Sequence, residues 1–448
     1  MSLLNLVEKA GVVGCGGAGF PAHIKWKTKA EYLIVNAAEC EPLLDTDKYL
    51  MRHRAQDLVN ICNSVAELIE ASQIVIAVKG TYRKEIEAVN RAIASCHARI
   101  LLHELESFYP AGDEQIVVQE VTGRVVPCGG IPLDVGVVVS NVATLIAAFD
   151  AERGIPLIEK YVTVAGEVKK PSVIKVPIGT SITECIDAVG GPTMDNYLII
   201  AGGPMMGKEL SSLPEDQRRI SKTTSGILVL PKKGMLEKYK EDLDLPALKK
   251  RARTSCIQCS FCTMLCPRHL LGHPLSPHRI MRAISWSEDM EQLLEDEYVR
   301  NASLCSLCGV CTAYACPIGL QPSKVNAFLK TEMQKRGIKR DKKEITSPQT
   351  DRDWRKVPTG RISARIGVGT YAHKVQDQLI TITPLEVAIA LKQSIGRLPE
   401  IIVGIGDTVK KGDLIGSVDD GVMGTNLHAS IDGVITEITD VIKIRRQE

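Results

Sequence analysis

The sequence contains no long apolar segment and no excess of charge of one sign. Its most apolar run, residues 135–148, spans only 14 residues and includes Ser140 and Asn141, whereas a membrane-spanning helix needs about 20 apolar residues. The 55 lysines and arginines nearly balance the 53 aspartates and glutamates, so the chain lacks the strong basic field that attracts nucleic acids or anionic membranes. The N-terminus has no apolar signal region. We therefore expect a globular cytoplasmic protein.

Cysteine, in contrast, is abundant, with 14 residues. In a cytoplasmic protein this indicates metal or redox chemistry before disulfides. Eight cysteines form two similar groups, each closed by a Cys-Pro pair: Cys256, Cys259, Cys262 and Cys266, then Cys305, Cys308, Cys311 and Cys316. Zinc is the alternative, but zinc sites usually combine cysteine pairs across a longer spacer, which leaves the third cysteine at the same two-residue step unexplained. The pattern predicts two [4Fe–4S] clusters.

The ligand sets are expected to cross between the two groups. In bacterial two-cluster ferredoxins the fourth cysteine of each run serves the other cluster. We therefore expect Cys316 to complete the cluster of Cys256, Cys259 and Cys262, and Cys266 to complete the other. The second group has one extra residue before its last cysteine, which a bulge in the loop would accommodate.

Hydrophobic periodicity divides the chain into units of different character. The N-terminal part alternates helices and strands, with strands predicted at 32–36, 74–78, 100–105 and 135–139 and helices at 47–70 and 84–95. This order is typical of an α/β layer with a largely parallel sheet. Residues 155–207 have short strands around a helix at 182–189, which favours a small α+β module; a continuation of the first domain is the alternative.

The C-terminal part, residues 357–448, is rich in predicted strands. Two similar hairpin-like segments surround a glycine-rich tip and resemble the flattened barrel of biotinyl and lipoyl domains. Carrier forms of that barrel present a lysine at the hairpin tip, but no lysine occurs between Ser417 and Ile431. We therefore expect a structural or docking module.

A glycine-rich loop near the N-terminus is a candidate phosphate site. It contains Gly14, Gly16, Gly17 and Gly19, and Lys25 follows as a possible counter-charge. Backbone N–H groups in such a loop approach a phosphate closely. The loop follows a predicted helix and not a strand, which argues against a Rossmann site. A plain tight turn is the alternative interpretation.

A second candidate segment runs from Asn36 to Glu41, directly after a predicted strand. Ligands bind at this edge of open α/β sheets. Glu39 and Glu41 are placed to accept hydrogen bonds from ribose hydroxyls or a flavin ring edge; a solvated turn is the alternative.

The segments GCGGAGFPAHIKW, NAAECEP, YPAGDEQ and SNVATL resemble motifs of the flavin-binding NADH dehydrogenase subunit of respiratory complex I, and more closely those of the C subunit of Rnf-type complexes. With a flattened barrel at the C-terminus, the domain order is most similar to that of PduS-type cobalamin reductases of bacterial microcompartments. The resemblance covers nearly the whole chain. It implies an FMN- and NADH-binding α/β domain at 1–154, a soluble-ligand-binding β-grasp module at 155–231, a helical ferredoxin-like domain with two [4Fe–4S] clusters at 232–345, and a barrel-sandwich β domain at 346–448.

Carried over motif by motif, the resemblance implies cofactor contacts for particular residues. The FMN phosphate region would be held by Gly14, Gly16, Gly17, Gly19 and Lys25. The flavin would contact Asn36 and Glu39, and the nicotinamide nucleotide would lie near Glu41. Two further loops would contribute Gly112, Asp113 and Glu114, and Asn141 and Thr144.

The function implied by the resemblance is that of an NAD(P)H-dependent flavoprotein reductase. NADH or NADPH would reduce FMN, and single electrons would pass through the two clusters to a corrinoid or a partner redox enzyme. Microcompartment shell proteins or an adenosyltransferase are further expected partners, with residence in a microcompartment. Two alternatives are an electron conduit that does not oxidise NADH itself and a non-enzymatic docking or assembly protein.

Overall fold

The first unit of the fold is a parallel sheet covered by helices. The computed structural model describes residues 1–241, 243–340, 342–345 and 347–447. The elements of this unit are α1 (Leu3–Lys9), α2 (Ala22–Trp26), β1 (Tyr32–Ala37), α3 (Thr46–His53), α4 (Ala55–Leu68), β2 (Gln73–Lys79), α5 (Arg83–Ser95), β3 (Ile100–Leu105), β4 (Phe108–Tyr109), α6 (Glu114–Thr122), β5 (Val137–Asn141) and α7 (Val142–Glu152). The sheet has the strand order β3-β2-β1-β5, and every pair is parallel. Strands β1 and β2 are buried over most of their length, as expected of a parallel sheet covered on both faces.

Two predicted boundaries in this unit are wrong. The helix predicted over 47–70 is two helices, because Arg54 between them has φ −130° and leaves the helical conformation. The Arg54 guanidinium instead pairs with Asp150 at 2.7 Å. The strand predicted at 135–139 begins at Val137, because residues Pro132–Val135 form a 3-10 turn that ends at Gly136.

The second unit is a mostly antiparallel sheet with one helix. Its elements are β6 (Glu159–Gly166), β7 (Ser172–Pro177), α8 (Ile182–Ala188), β8 (Tyr197–Ala201), β9 (Lys208–Glu209) and β10 (Gly226–Pro231). Helix α8 buries Ile182, Cys185 and Ile186 against the sheet. The predicted α+β character is confirmed.

The third unit is helical and contains both cysteine groups. Its helices are α9 (Gly234–Lys240), α10 (Leu245–Ser255), α11 (Phe261–Met264), α12 (Pro267–Leu270), α13 (Pro277–Trp286), α14 (Met290–Glu295), α15 (Glu297–Arg300) and α16 (Pro322–Lys335). A π-helical turn at Cys311–Ala315 precedes Cys316. Such a turn accommodates one additional residue, and it lies where the second cysteine group is one residue longer than the first.

The C-terminal unit is mainly two small antiparallel sheets. Its elements are α17 (Arg352–Arg355), β11 (Val357–Pro358), α18 (Thr359–Arg365), β12 (Gln376–Thr381), β13 (Glu386–Ala390), β14 (Glu400–Ile401), β15 (Thr408–Val409), β16 (Leu414–Ser417), β17 (Leu427–His428), β18 (Gly433–Ile438) and β19 (Val441–Arg445). The sheets have the strand orders β13-β19-β18-β15 and β14-β16-β17. Strand β12 instead extends the sheet of the second unit by pairing with β7, and β11 pairs with β4 of the first unit.

The first, second and C-terminal units meet at a buried lysine. The Lys222 ammonium donates hydrogen bonds to the backbone oxygens of Gly11 and Asn426, each at 2.7 Å. Burial lowers the pKa of Lys222 to about 7. These contacts hold Gly11, which precedes the glycine-rich loop, against the barrel. In the described part of the chain, no helix is long and apolar enough to cross a membrane.

Candidate functional site

The glycine-rich loop is closed by its own backbone and lies at the start of α7. Gly14 N–H donates to Phe20 O at 2.8 Å, and Gly19 N–H donates to Gly14 O at 3.1 Å. Gly17 has φ +112°, a conformation that side chains disfavour. A Cβ on Gly16 would lie 3.3 Å from Asn141 Cγ, so the loop and the Asn141 side chain are in close contact.

Asn141 and Thr144 connect this loop to the first turn of α7. Asn141 caps the helix by accepting a hydrogen bond from Ala143 N–H at 3.0 Å, and Thr144 Oγ1 accepts one from Cys15 N–H at 2.9 Å. The positive end of the helix dipole and the free N–H groups of a first turn favour an anion. The fold therefore brings together residues that were predicted from separate motifs, namely the glycine-rich loop, Asn141 and Thr144. The site that they surround suits a phosphate.

Lys25 and Glu114, also predicted from separate motifs, form an ion pair. Lys25 Nζ lies 2.5 Å from Glu114 Oε1, with both side chains partly exposed. An exposed pair of this kind is weak. A phosphate would have to share the Lys25 ammonium with the Glu114 carboxylate.

The end of β1 contacts the Gly112 loop. Asn36 Nδ2 donates to Gly112 O at 2.8 Å, and Asn36 lies opposite Asn141 in the parallel pairing of β1 and β5. A Cβ on Gly112 would lie 3.2 Å from Cys40 Sγ, tighter than ordinary packing. Asn36, Gly112 and Asn141 thus meet at the carboxyl edge of the sheet, where open α/β folds bind ligands.

Glu39 is a partly buried carboxyl beside the buried carboxyl of Asp47. Burial, with a smaller contribution from the Asp47 charge, raises the pKa of Glu39 to about 8. Burial also raises the pKa of Asp47 to about 6, and its carboxylate accepts a hydrogen bond from Asn141 Nδ2 at 2.7 Å. Glu39 is therefore mostly protonated at neutral pH and can donate a hydrogen bond. Sequence reasoning missed Asp47, because it lies inside a helix with no distinctive motif around it.

Glu41 faces the second unit. Its carboxylate accepts hydrogen bonds from Met205 N–H and Met206 N–H, both at 2.9 Å, and from the Tyr109 hydroxyl at 3.3 Å. A Cβ on Gly203 would overlap the Glu41 side chain. Although these hydrogen bonds favour the carboxylate, the larger effect of burial raises its pKa. In this structure Glu41 joins two units and is not directed into an open site.

Asp113 joins the first unit to the cysteine-rich unit. It caps α6 by accepting a hydrogen bond from Gln115 N–H at 3.0 Å. Its other oxygen lies 3.0 Å from Arg268 Nη2, with both side chains largely buried. Arg268 is two residues beyond Cys266, and the Asp113 charge also acts on the Cys308 thiol, so the Gly112–Glu114 loop lies beside Cys266 and the second cysteine group. The sequence offered no signal for this pairing.

The structure brings Cys316 beside three cysteines of the first group. Cys256, Cys259, Cys262 and Cys316 line one pocket, and burial together with the Cys316, Cys256 and Cys259 thiols raises the pKa of Cys262 to about 12. Likewise, the pKa of Cys311 is raised by burial and then by its neighbours Cys305, Cys308 and Cys266.

The two ligand loops have the same backbone shape. Gln258 and Ser260 have φ +55° and +61°, and the corresponding Leu307 and Gly309 have φ +61° and +80°. These left-handed residues turn the backbone between successive cysteines. Among the described residues, no three histidine, cysteine, aspartate or glutamate side chains form a ready site for a single metal ion. Two groups of four neighbouring thiols suit [4Fe–4S] clusters, which bind four thiolates each.

The second cysteine group adjoins the first unit, and the first group lies near the surface. The Tyr109 hydroxyl donates to Cys308 O at 2.8 Å, and Cys308 is buried. Beside the first group, Ile257 and Phe261 are exposed. The second group therefore contacts the first unit, whereas the first group has exposed neighbours.

Comparisons with family models match all four units. The Nuo51 FMN-binding domain matches residues 7–150, the SLBB domain 161–209, the 4Fe-4S dicluster domain 255–321 and the RnfC barrel sandwich hybrid domain 365–448. These matches confirm the predicted fold class. Together, the fold and the site define a flavin and iron–sulfur electron-transfer oxidoreductase.

Individual relatives place the chain more closely. Cobalamin reductase PduS of Salmonella typhimurium is 38% identical over 97% of this chain and 94% of its own length, and PduS of Citrobacter freundii is 38% identical with the same coverage. The chain belongs to the PduS cobalamin reductase family. The C subunit of the proton-translocating ferredoxin:NAD(+) oxidoreductase complex of Clostridium ljungdahlii is 36% identical over 66% of this chain and 61% of its own length.

Among solved structures, an NAD+-reducing [NiFe]-hydrogenase in the H2-reduced state has a TM-score of 0.49 and 19% identity, covering 74% of this chain and 62% of that one.

The family membership confirms the predicted resemblance and the expectation of an enzyme. The alternative of a non-enzymatic assembly protein is therefore wrong.

Proposed function

We propose that this protein passes electrons from NAD(P)H through FMN and two [4Fe–4S] clusters to a corrinoid. The observation that carries the proposal is the contact between the candidate flavin site and the second cysteine group, through Tyr109 and Cys308 and through Asp113 and Arg268. The proposed domains are 1–154 for FMN and NADH, 155–231 for the β-grasp module, 232–345 for the clusters and 346–448 for the barrel.

The residues at the sheet edge fit an FMN molecule. Gly16 and Gly17 are exposed, so their backbone is open to a phosphate, and the start of α7 adds a favourable dipole. The Lys25 ammonium would supply a positive charge there, interacting with the phosphate as well as with the Glu114 carboxylate. Asn36 and the protonated Glu39 would hydrogen-bond the flavin ring. When bound, FMN supplies the conversion of a two-electron hydride donor into single electrons.

Four thiols would hold each cluster, three from one cysteine group and one from the other. We assign Cys256, Cys259, Cys262 and Cys316 to one cluster, and Cys305, Cys308, Cys311 and Cys266 to the other. The protein keeps the second group dry, because its four cysteines are buried. Tyr109 holds the Cys308 loop against the flavin domain, and the Asp113–Arg268 ion pair fixes the spacing beside Cys266. These residues position the cofactors and take no part in the chemistry themselves.

The names of the relatives support the proposed acceptor and location. PduS relatives are named cobalamin reductases, and a corrinoid is therefore the proposed acceptor. A cytoplasmic protein housed in a bacterial microcompartment, with shell proteins or an adenosyltransferase as partners, is the corresponding setting.

The test is to follow NADH oxidation in anaerobically purified protein. NADH should bleach the flavin absorbance, then the cluster absorbance, and corrinoid reduction should follow. NADPH in place of NADH identifies the preferred donor. A flavin that stays oxidised with either donor, in protein whose clusters dithionite reduces, contradicts the proposed donor.

A second candidate, an electron conduit without its own NADH oxidation, is favoured by the position of Glu41. The predicted nicotinamide contact is here occupied by Met205 and Met206 amides. The conduit function requires flavin and clusters that accept electrons from a reduced partner protein but not from NADH. The same bleaching experiment therefore separates the two functions.

A further inference from the structure

A cleft of about 590 Å³ opens beside the first cysteine group. One face of α13 forms much of its wall and contributes Arg279, Arg282 and Trp286. The opposite face of the helix, with Ile280 and Ile284, is buried in the core of the cysteine-rich unit. The volume lies within the range of small-molecule sites, about 300–1,000 Å³.

The cleft adjoins the thiols of the first group. Gln258 and His278 line both the cleft and the pocket that contains these thiols. Gln258 Nε2 lies 3.1 Å from Cys256 Sγ, and His278 Nδ1 lies 2.7 Å from the hydroxyl of Thr263, which follows Cys262. A single layer of side chains therefore separates a molecule in the cleft from the thiols.

The cleft is lined by two arginines and one aspartate, Arg279, Arg282 and Asp296. Within the described residues, neither Arg279 nor Arg282 forms an ion pair. Asp296, which also lines the cleft, is engaged as the cap of α15 and accepts a hydrogen bond from Tyr298 N–H at 2.7 Å. Guanidinium groups bind phosphate with paired hydrogen bonds. Two unpaired guanidiniums therefore favour a phosphate-bearing ligand.

The rim of the cleft is aromatic. Trp286 is 65% exposed and Tyr298 is 47% exposed, and the Arg253 guanidinium lies 5.1 Å from the centroid of the Trp286 ring. The Arg279 guanidinium packs over the Tyr298 ring at 4.3 Å. Exposed aromatic faces stack on flat conjugated rings. The cleft thus combines recognition elements for a phosphate and for a ring system.

We propose that this cleft is the electron-exit site and binds a redox acceptor that carries both a conjugated ring and a phosphate. The inference rests on the proposed function, because that function delivers electrons to the first cysteine group. A corrinoid with its nucleotide-loop phosphate and a free flavin nucleotide share this chemistry. Each transfer oxidises the cluster by one electron and reduces the acceptor by one electron; NAD(P)H is the reductant, and no bond to the protein forms.

The test is direct binding to the anaerobic holoprotein, saturated with FMN at its own site, by equilibrium dialysis. Arg282→Glu is compared with Arg91→Glu, which reverses an exposed charge on α5 outside the cleft. The probes are cyanocobalamin and dicyanocobinamide, which lacks the nucleotide loop, and FMN and riboflavin, which lacks the phosphate. We expect Arg282→Glu to weaken binding of cyanocobalamin or FMN about tenfold or more, because a charge-assisted contact is lost. Binding of the phosphate-free probes should stay unchanged, as should all binding by Arg91→Glu.

The outcomes separate the cleft from the proposed function. Arg282-dependent binding of FMN without corrinoid binding supports the cleft and contradicts the corrinoid acceptor. If Arg282→Glu binds each of the four probes as tightly as Arg91→Glu does, the cleft proposal is overturned. NADH-dependent corrinoid reduction by the same samples would still leave the proposed function standing. Binding of no probe by the unsubstituted protein also overturns the cleft proposal and points to a protein acceptor.

Discussion

Replacing Glu39 with glutamine should change how the stability of the flavin domain depends on pH. Glu39 is partly buried, and its pKa is raised from 4.5 to about 8, first by the loss of solvation and then by Asp47. Between pH 4.5 and about pH 8, Glu39 is protonated in the folded protein but ionised in the unfolded chain. Stability therefore falls as the pH rises through this window. The glutamine amide does not titrate, so the Glu39→Gln variant lacks this loss.

The magnitude follows from the two pKa values. A shift of one pKa unit corresponds to about 1.4 kcal/mol, and integration between pH 6 and pH 8 gives a loss of about 2 kcal/mol from Glu39. The neighbouring Asp47, with a pKa raised to about 6, exerts most of its effect at lower pH. For a domain of about 150 residues, 2 kcal/mol corresponds to a midpoint change of about 4–8 °C.

The assay is the thermal unfolding midpoint of FMN-free protein at about pH 6, 7 and 8. The difference between Glu39→Gln and the unsubstituted protein should grow with pH by about 4–8 °C in favour of the variant. Glu87→Gln, at an exposed position of α5, is the matched control and should follow the unsubstituted protein. A difference that stays constant from pH 6 to pH 8 would refute the protonated state of Glu39.

Three further predictions concern the cofactors. Anaerobically purified protein should contain about eight iron and eight acid-labile sulfide per chain, from two cubane clusters; zinc without sulfide, by metal analysis, would contradict the cluster assignment. Lys25→Ala should weaken FMN retention about tenfold, because the phosphate loses a cation, and Lys25→Glu should weaken it more; unchanged FMN content of the Glu variant would exclude Lys25 from the phosphate site. In low-temperature electron paramagnetic resonance, Cys316→Ser should alter the same signal as Cys259→Ser; a match with Cys308→Ser instead would mean that each group binds its own cluster.

Local sequence patterns predicted most of the secondary structure but not its interruptions. The apolar spacing over residues 47–70 continues through Arg54, because both helices pack on the same core. At the break Arg54 pairs with Asp150, which lies 96 residues away, a contact that local apolar spacing does not indicate. Strand β12 was predicted as part of the barrel for the same reason. Its alternation of apolar and polar residues is a local pattern, whereas its pairing with β7 is a tertiary contact.

The sequence by itself determined the two cysteine groups, the glycine-rich loop and the order of the units, because ligand loops and strands depend on short spacings that the chain carries directly. The cysteine runs predicted that Cys316 lies with the first group, and the fold brings it there, whereas tertiary structure alone decided that Asp113 meets Arg268. It also decided that Glu41 accepts the Met205 and Met206 amides instead of facing an open site. These contacts join residues that are 54 to 165 positions apart, and only the folded chain brings such distant side chains within hydrogen-bonding or ligating distance. Their buried charges and thiols obtain their pKa shifts from that packing, since burial, the largest cause at Glu39 and Cys262, does not exist in the unfolded chain.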